Sequence, residues 1–437
     1  MCLRQHLRCS SLRVTIFGAG SFGSAISCIV GYNTERTLIF NNEVKLWLYD
    51  ETLDSGESLA DVLNRDHVNV KYLPDYKLPS NVRAVTDLRE ACQDCNLMIF
   101  VIPSQFVRSV ASQIRMLGMD FSGAVRAVSL TKGFLVENGH PFLISSVIQE
   151  ELGIDCCVLS GANVASGLAA REFSEATLAC SDYDDAYIWQ YLFDTPWFKI
   201  DCVPDVICTE LFGGLKNIIA LLVGMIQGLG CGTNTVSAVM RLGVLEMILY
   251  GSIFFNIRSS IMTRVFFESC GIADLVTTCL GGRNVRGGKA FTLSNGQKSW
   301  EEIETEVTGG QHLAGLVTLK EINETLEVLL IEKSIDVDKH FPLFRICFKI
   351  AYSGAPPRSL IDILGRNELR ELRFVPSGLL SLIDDSPNQG EVLQRSSSTQ
   401  TAKAYRAETS NPSTSSTNYS TRHPDSDGPS TPWPRRS

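Results

Sequence analysis

The chain has 437 residues, 44 % hydrophobic and 20 % charged, which suits two or three domains of roughly 150 residues each and excludes a largely disordered chain. Its formal charge of −9 argues against a nucleic-acid surface and against a polybasic membrane anchor. No uninterrupted apolar run reaches the roughly 18–20 residues of a membrane helix, so a soluble protein with no integral membrane segment is expected.

Residues 1–12 read as an N-terminal extension with Arg4 and Arg8 but no long apolar core, either a frayed terminus or a short mitochondrial presequence. Arg13–Phe17 (RVTIF) is a β-branched run that ends at a glycine, and Ser21–Val30 follows with helical spacing. Tyr32–Asn42 reads as an insertion before the alternating strand Val44–Tyr49 (VKLWLY). Leu97–Ile102 (LMIFVI) is wholly apolar, as a strand buried on both faces would be. Helix Gln105–Leu117 and strands Val125–Leu130 and Cys157–Leu159 continue the alternation. The expected fold class is α/β over residues 13–204, a doubly wound, mostly parallel sheet.

From Pro204 the texture changes. Asp205 is placed to cap a long helix through Leu215, Ile218, Ile219 and Leu222. Helical patterns then cover Ser237–Phe255, Met262–Cys270, Trp300–Val307, Thr318–Leu330 and Pro342–Ser353, predicting an all-α domain over 205–384. Residues 385–437 form a polar tail; its last 52 residues hold 19 Ser or Thr and 6 Pro, and such a segment cannot offset its chain entropy and is expected to be disordered.

The 14 cysteines are scattered. Cys92-x-x-Cys95 has the spacing of a redox or zinc pair without a companion pair, and Cys156-Cys157 read as buried thiols, so the cysteines are expected reduced, in a reducing compartment. The histidines (His6, His67, His140, His312, His340, His423) show no ligand spacing, and no metal is expected.

Gly18-Ala19-Gly20-Ser21-Phe22-Gly23 sits between a strand and a helix. In that context the first glycine permits the turn, the second admits a pyrophosphate and the third lets helix and strand pack closely, while the helix N-terminus offers free N–H groups. Asp50-Glu51 follow the second strand with no arginine behind them, which favours NAD over NADP. Tyr49 is either an adenine-stacking ring or an ordinary strand-end aromatic.

In the second half, Lys216-Asn217 follows Gly213-Gly214 inside an apolar helix. An isolated buried ammonium is costly, so Lys216 either snorkels out or faces a functional cavity, and the two glycines imply a close approach. Asp274 and Thr278 share a helix face at i, i+4. Gly281-Gly282-Arg283-Asn284 either binds an anion through its guanidinium and amide or simply ends a helix.

GAGSFGSA, NVKYLP (Asn69–Pro74), LTKG (Thr131–Gly133), GANVAS (Gly161–Ser166), LKN (Leu215–Asn217), RLG-x-x-EM (Arg241–Met247), ESCGIADL-x-TTC-x-GGRN (Glu268–Asn284) and FPLF (Phe341–Phe344) occur in one order. From about Arg13 to about Ile363 the series resembles the NAD-dependent glycerol-3-phosphate dehydrogenases of the eukaryotic cytosolic type. The resemblance implies a Rossmann-like N-terminal domain, a helical substrate domain, NAD as cofactor, a phosphorylated triose as substrate, a cytoplasmic location and a homodimer. It implies Lys216 as the catalytic lysine, with Lys132 and Asp274 as charged companions. Asn217, Thr278, Arg283, Asn284 and Lys132 would hold the substrate. Gly18, Ala19, Gly20, Ser21, Phe22, Gly23, Tyr49, Phe106, Lys132, Ala165, Arg283 and Gln311 would contact the cofactor. Alternatives on the same fold are a related 3-hydroxyacid or ketopantoate reductase and a non-catalytic NAD(H)-sensing protein.

Four residues depart from the family pattern. Gly167 stands where glutamate is common and Ala314 where a cofactor-contacting glutamine is usual. Gly287-Gly288 interrupts an apolar helical stretch and is expected to loosen the chain behind the anion site.

Overall fold

Eight short strands, most of them followed by a helix, wind one sheet in the first half of the chain. They are β1 (Leu12–Phe17), β2 (Phe40–Trp47), β3 (Val82–Val85), β4 (Leu97–Phe100), β5 (Arg126–Ser129), β6 (Cys156–Ser160), β7 (Ser174–Ala179) and β8 (Phe198–Val203). Their spatial order is β8-β7-β6-β5-β4-β1-β2-β3, parallel throughout except for the β6–β7 pair. The computed structural model describes residues 11–121 and 125–365, and all of these belong to one compact unit. The expectations for residues 1–10 and for the polar tail lie outside the described residues.

Both faces of the sheet are covered, which is why its strands read as continuous apolar runs. Val14, Ile16, Leu46 and Ile99 pack on one side with Ala25, Ile26 and Ile29 of helix α1 (Ser21–Thr34) and with Trp189 and Phe193 of α4 (Tyr183–Phe193). Phe17, Trp47, Met98 and Phe100 pack on the other with α2 (Ser104–Met116) and α3 (Ile144–Leu152). The stretch 32–42 is no inserted loop: α1 runs to Thr34 and β2 begins at Phe40. Strands β3, β7 and β8 escape the sequence reading because each is short or alternates with polar residues, as in FKIDCV at the β8 edge.

The helical half is built around α5 (Val206–Gly228), buried on every side from Cys208 to Ile226. A helix apolar all round belongs in a core. It is surrounded by α6 (Thr233–Phe255), α7 (Asp274–Gly281), α8 (Arg283–Leu293) and α9 (Ala314–Lys333). Contrary to the sequence expectation, α5 and α6 are long and apolar enough to cross a membrane by length and composition. Lys216 and Asn217 break the uninterrupted run but barely dilute the helix as a whole, and α5 spends its apolar surface inside the protein.

Asp205 stands at the N-cap position of α5 without capping it; its carboxylate pairs with Arg264 at 2.6 Å instead. The helix expected over Met262–Cys270 stops at Phe266, and Ser269–Ala273 forms a π-helical turn. The hairpin Phe134–Glu137/His140–Leu143 sends Phe134 and Leu143 into the helical core.

Gly287 and Gly288 do not loosen the chain. They lie inside α8, where a Cβ on Gly288 would run into the Leu221 carbonyl of α5. On the facing helix a Cβ at Gly224 would run into the Val285 carbonyl, and one at Gly228 would sit 2.7 Å from Thr292 Cβ. The helix-propensity cost of these glycines, about 1 kcal/mol each, is offset at Gly224 and Gly288 by backbone-to-backbone packing that no other residue permits, while Gly287 makes room for the Leu313 side chain.

Candidate active site

Because β1, β2, β4, β5 and β6 are parallel, the loops that follow them all open on the same edge of the sheet. That edge collects the fingerprint glycines after β1, Tyr49 after β2, Phe106 after β4, Lys132 after β5 and Ala165 after β6. Strand order reverses between β1 and β4, the crevice where open α/β sheets bind ligands.

The three fingerprint glycines have three different reasons. Gly18 has φ +118°, and a Cβ there would lie 2.5 Å from the Val101 carbonyl. Gly23 packs against the Gly18 carbonyl with no room for a side chain. Gly20 has nothing within 4 Å of where a Cβ would stand, so its face is open. Gly20 is also the N-cap of α1, which has no side-chain cap and no acidic residue in its first turn. Free N–H groups with a positive dipole end and an open approach suit a pyrophosphate, so the residues present fit a dinucleotide. Ser21 and Phe22 are half-buried and Ala19 is buried. Tyr49 is 59 % exposed and packs edge-on against Trp47, and Phe106 is 52 % exposed, so both rings are available to a ligand. Asp50 accepts from Ser58 at 2.7 Å, and Glu51 is held by Lys71 and by Tyr72 at 2.8 Å. The acidic pair thus carries a structural load that its position in the sequence does not announce.

Lys216 does not snorkel out. It is 4 % exposed, and its Nζ donates to Thr278 Oγ1 at 2.8 Å and pairs with Asp274 Oδ1. The other carboxylate oxygen takes Lys132 Nζ at 2.9 Å, and Lys132 also donates to the Gly161 carbonyl at 3.1 Å. One carboxylate therefore bridges two ammonium groups from opposite halves of the chain. Burial, then the charge of Lys132, lower the Lys216 pKa to about 7, against the upward pull of Asp274. Gly213 and Gly214 allow this approach: Cβ atoms there would lie 2.8 Å from Ser160 Oγ and 3.2 Å from Gly133 Cα.

The GGRN segment starts a helix as well as ending one. Gly282 is the N-cap of α8, again with no side-chain cap and no acidic residue in the first turn. Arg283, the first helical residue, stands at the rim and donates to Gln311 Oε1 at 2.8 Å. Partial burial of its guanidinium, with Arg286 nearby, lowers its pKa, a field that favours an anion. Behind it, Asn284 Nδ2 donates to Asn217 Oδ1 at 3.0 Å and Asn284 Oδ1 accepts the Gly315 amide at 3.0 Å. Of the departures, Ala314 is exposed at the start of α9, and Gly167 sits beside the flexible end of Glu172.

Several supporting residues were not anticipated. Asn69 donates to the Ala19 carbonyl at 2.8 Å and to Ser24 Oγ at 2.9 Å, so the NVKYLP motif buttresses the glycine loop. Glu246 of RLG-x-x-EM accepts the Leu343 and Phe344 amides at 2.7 and 2.9 Å, tying that motif to FPLF. Recurrence of both motifs in one order was the available signal; the contacts themselves are long-range. Cys92 and Cys95 are buried, and every cysteine among the described residues is unpaired.

The open glycine loop and the buried lysine share one edge of the sheet, an arrangement of the nicotinamide-dependent dehydrogenase class. Residues 13–186 match the N-terminal, and 205–362 the C-terminal, family model of NAD-dependent glycerol-3-phosphate dehydrogenase. The chain belongs to that family. It is 42 % identical over 351 residues to the glycerol-3-phosphate dehydrogenase [NAD(+)] of Cuphea lanceolata, covering 80 % of this chain and 91 % of the relative. It is 40 % identical over 355 residues to the human enzyme named glycerol-3-phosphate dehydrogenase [NAD(+)], cytoplasmic, covering 81 % and 98 %. The solved structure of the Plasmodium falciparum glycerol-3-phosphate dehydrogenase superposes with a TM-score of 0.77 at 40 % identity, over 84 % of this chain and 98 % of that one.

Proposed function

We propose that the chain interconverts dihydroxyacetone phosphate and sn-glycerol 3-phosphate, with NAD as cofactor and Lys216 as general acid and base. The observation that carries the reading is the buried Lys216 ammonium, joined through the Asp274 carboxylate to Lys132, with its pKa brought to about 7. NAD, when bound, supplies or accepts the hydride. In the reducing direction Lys216 gives its Nζ proton to the oxygen of the substrate carbonyl, and in the oxidising direction the free amine takes the hydroxyl proton. Lys132 and Asp274 keep that amine oriented and poised near neutrality, where proton transfer works both ways.

Arg283 and the uncapped start of α8 are the phosphate site in this reading, and Asn217, Asn284 and Thr278 orient the rest of the substrate. Residues 18–23 hold the pyrophosphate, with Tyr49, Phe106, Lys132, Ala165, Arg283 and Gln311 as further cofactor contacts. Residues 13–204 act as the cofactor domain and 205–384 as the substrate domain. Family likeness and the exposed apolar row Ile272, Val276 and Leu280 support a homodimer. Likeness to the human relative and the unpaired cysteines support a cytoplasmic location.

The full chain should consume NADH with dihydroxyacetone phosphate and not with unphosphorylated dihydroxyacetone or 2-oxo acids. Lys216→Ala should lower kcat by about 10²–10⁴-fold with NADH binding retained, since that is what a positioned acid–base group contributes. Turnover near the parent rate would remove the lysine from this role.

A further inference from the structure

The site draws its charges from both halves of the chain, so its geometry depends on how the halves are joined. Asp274 opens α7, and the residues before it, Ser269–Ala273, form the π-helical turn. Such turns are rare and recur at functional sites. Two hydroxyls fasten this one to the sheet. Ser269 Oγ donates to the Glu175 carbonyl of β7 at 2.9 Å, and the Cys270 amide donates to Thr177 Oγ1 of β7 at 3.0 Å. Thr177 and Cys270 are both fully buried.

Glycines enforce the close approach. A Cβ on Gly161 would lie 2.7 Å from Ala176 Cα and 2.9 Å from Ser269 Oγ, and one on Gly271 would run into the Phe266 carbonyl. The same Gly161 presents its carbonyl to Lys132 Nζ at 3.1 Å. The end of β6, the middle of β7 and the π turn therefore form one polar joint. Lys132 is anchored to it, and Asp274 is the next residue after it.

We propose that Thr177 and Ser269 are positioning residues: their hydroxyl bonds between β7 and the π turn set where Asp274 stands between Lys216 and Lys132. This deepens the dehydrogenase reading and rests on it. A carboxylate displaced from an ammonium loses its hold steeply, because a charge-assisted hydrogen bond is short and directional. Val at 177 removes the acceptor and leaves the Cys270 amide buried without a partner, so the turn and Asp274 shift together. The titratable and charged groups acting on Lys216 are Lys132 from the sheet side, and Asp274 and the buried, neutral Cys279 thiol on α7. With Asp274 displaced, burial and Lys132 go unopposed and the ammonium loses its proton at lower pH.

The test is Thr177→Val in the full chain, with Thr177→Ser as the conservative control and Ser269→Ala as a second variant. For reduction of dihydroxyacetone phosphate, kcat should fall roughly tenfold near neutral pH, and the alkaline limb of its pH profile should move down by about one unit. KM for NADH should stay unchanged, and Thr177→Ser should restore both kcat and the limb. A limb that stays in place in both Thr177→Val and Ser269→Ala, whatever happens to kcat or thermal stability, would overturn the proposal and leave the joint a structural contact. Side-chain NMR of Lys216 reads the same shift without turnover. A parent protein that fails to reduce the triose phosphate would therefore sink the dehydrogenase reading alone.

Discussion

Two helices of this protein begin in the same way in different domains. Helix α1 starts at Gly20 and α8 at Gly282; both N-caps are extended glycines, and neither helix has a side-chain cap or an acid in its first turn. Each leaves N–H groups free for an anion. They differ in the charge of that turn. In α1 it carries no formal charge, so its site is backbone alone. The first residue of α8 is Arg283, which adds a fixed positive charge, and two turns of that helix are welded to α5 by glycines. In the proposed reading a cofactor phosphate would be held by geometry, and a substrate phosphate by geometry plus charge.

The sharpest test of that difference is Arg283→Ala. It should weaken the phosphorylated triose by about 1.5–3 kcal/mol, mostly as KM, while NADH is affected less. An equal loss with an unphosphorylated ketone would remove Arg283 from the phosphate site. Gly288→Ala comes next: overpacking against the Leu221 carbonyl should cost about 1–3 kcal/mol of stability in a denaturant titration. A parent-like midpoint would mean that the two helices separate easily at this contact. Gly20→Ala is smaller and of opposite character. Its φ of −65° suits alanine and nothing lies within 4 Å, so the melting temperature should hold. NADH affinity should drop roughly tenfold, about 1.4 kcal/mol, because the new methyl fills the approach to the cradle. Unchanged affinity would mean that the phosphate does not come close to Gly20.

The last effect concerns pH. Burial raises Glu210 to about 7 and Glu246 to about 8 from the ordinary 4.5, although backbone amides donate to both. A raised folded pKa means that the native state holds the proton more tightly. This contribution to stability is complete below the unfolded value and fades as pH rises through the folded one. Melting temperature should therefore decline between about pH 5 and about pH 6, a window that lies below the titration of Lys216 in both states. Glu246→Gln should flatten the slope. An unaltered slope would assign it to other groups.

The glycine fingerprint, the apolar strands on either side of it, the lysine inside an apolar helix and the GGRN segment were all legible along the chain, because each is a local pattern with a local cause. Asp205 shows the limit of such reading. Its type and place suit a helix cap, yet a guanidinium from Arg264, far along the chain, claims its carboxylate. Asp50 and Glu51 show it again, since their partners Ser58, Lys71 and Tyr72 come from the next loop and hairpin.

Periodicity, turn chemistry and the order of motifs thus determined by themselves an α/β half followed by a helical half, and singled out Lys216 and the GGRN segment as candidates. Tertiary structure alone decided that Asp274 bridges Lys132 and Lys216, that a π turn hangs it from β7, and that Gly287 and Gly288 tighten rather than loosen their helix. The reason is one of range. A backbone preference is felt within a few residues, whereas the meaning of a charge or a missing side chain depends on whatever the fold brings against it.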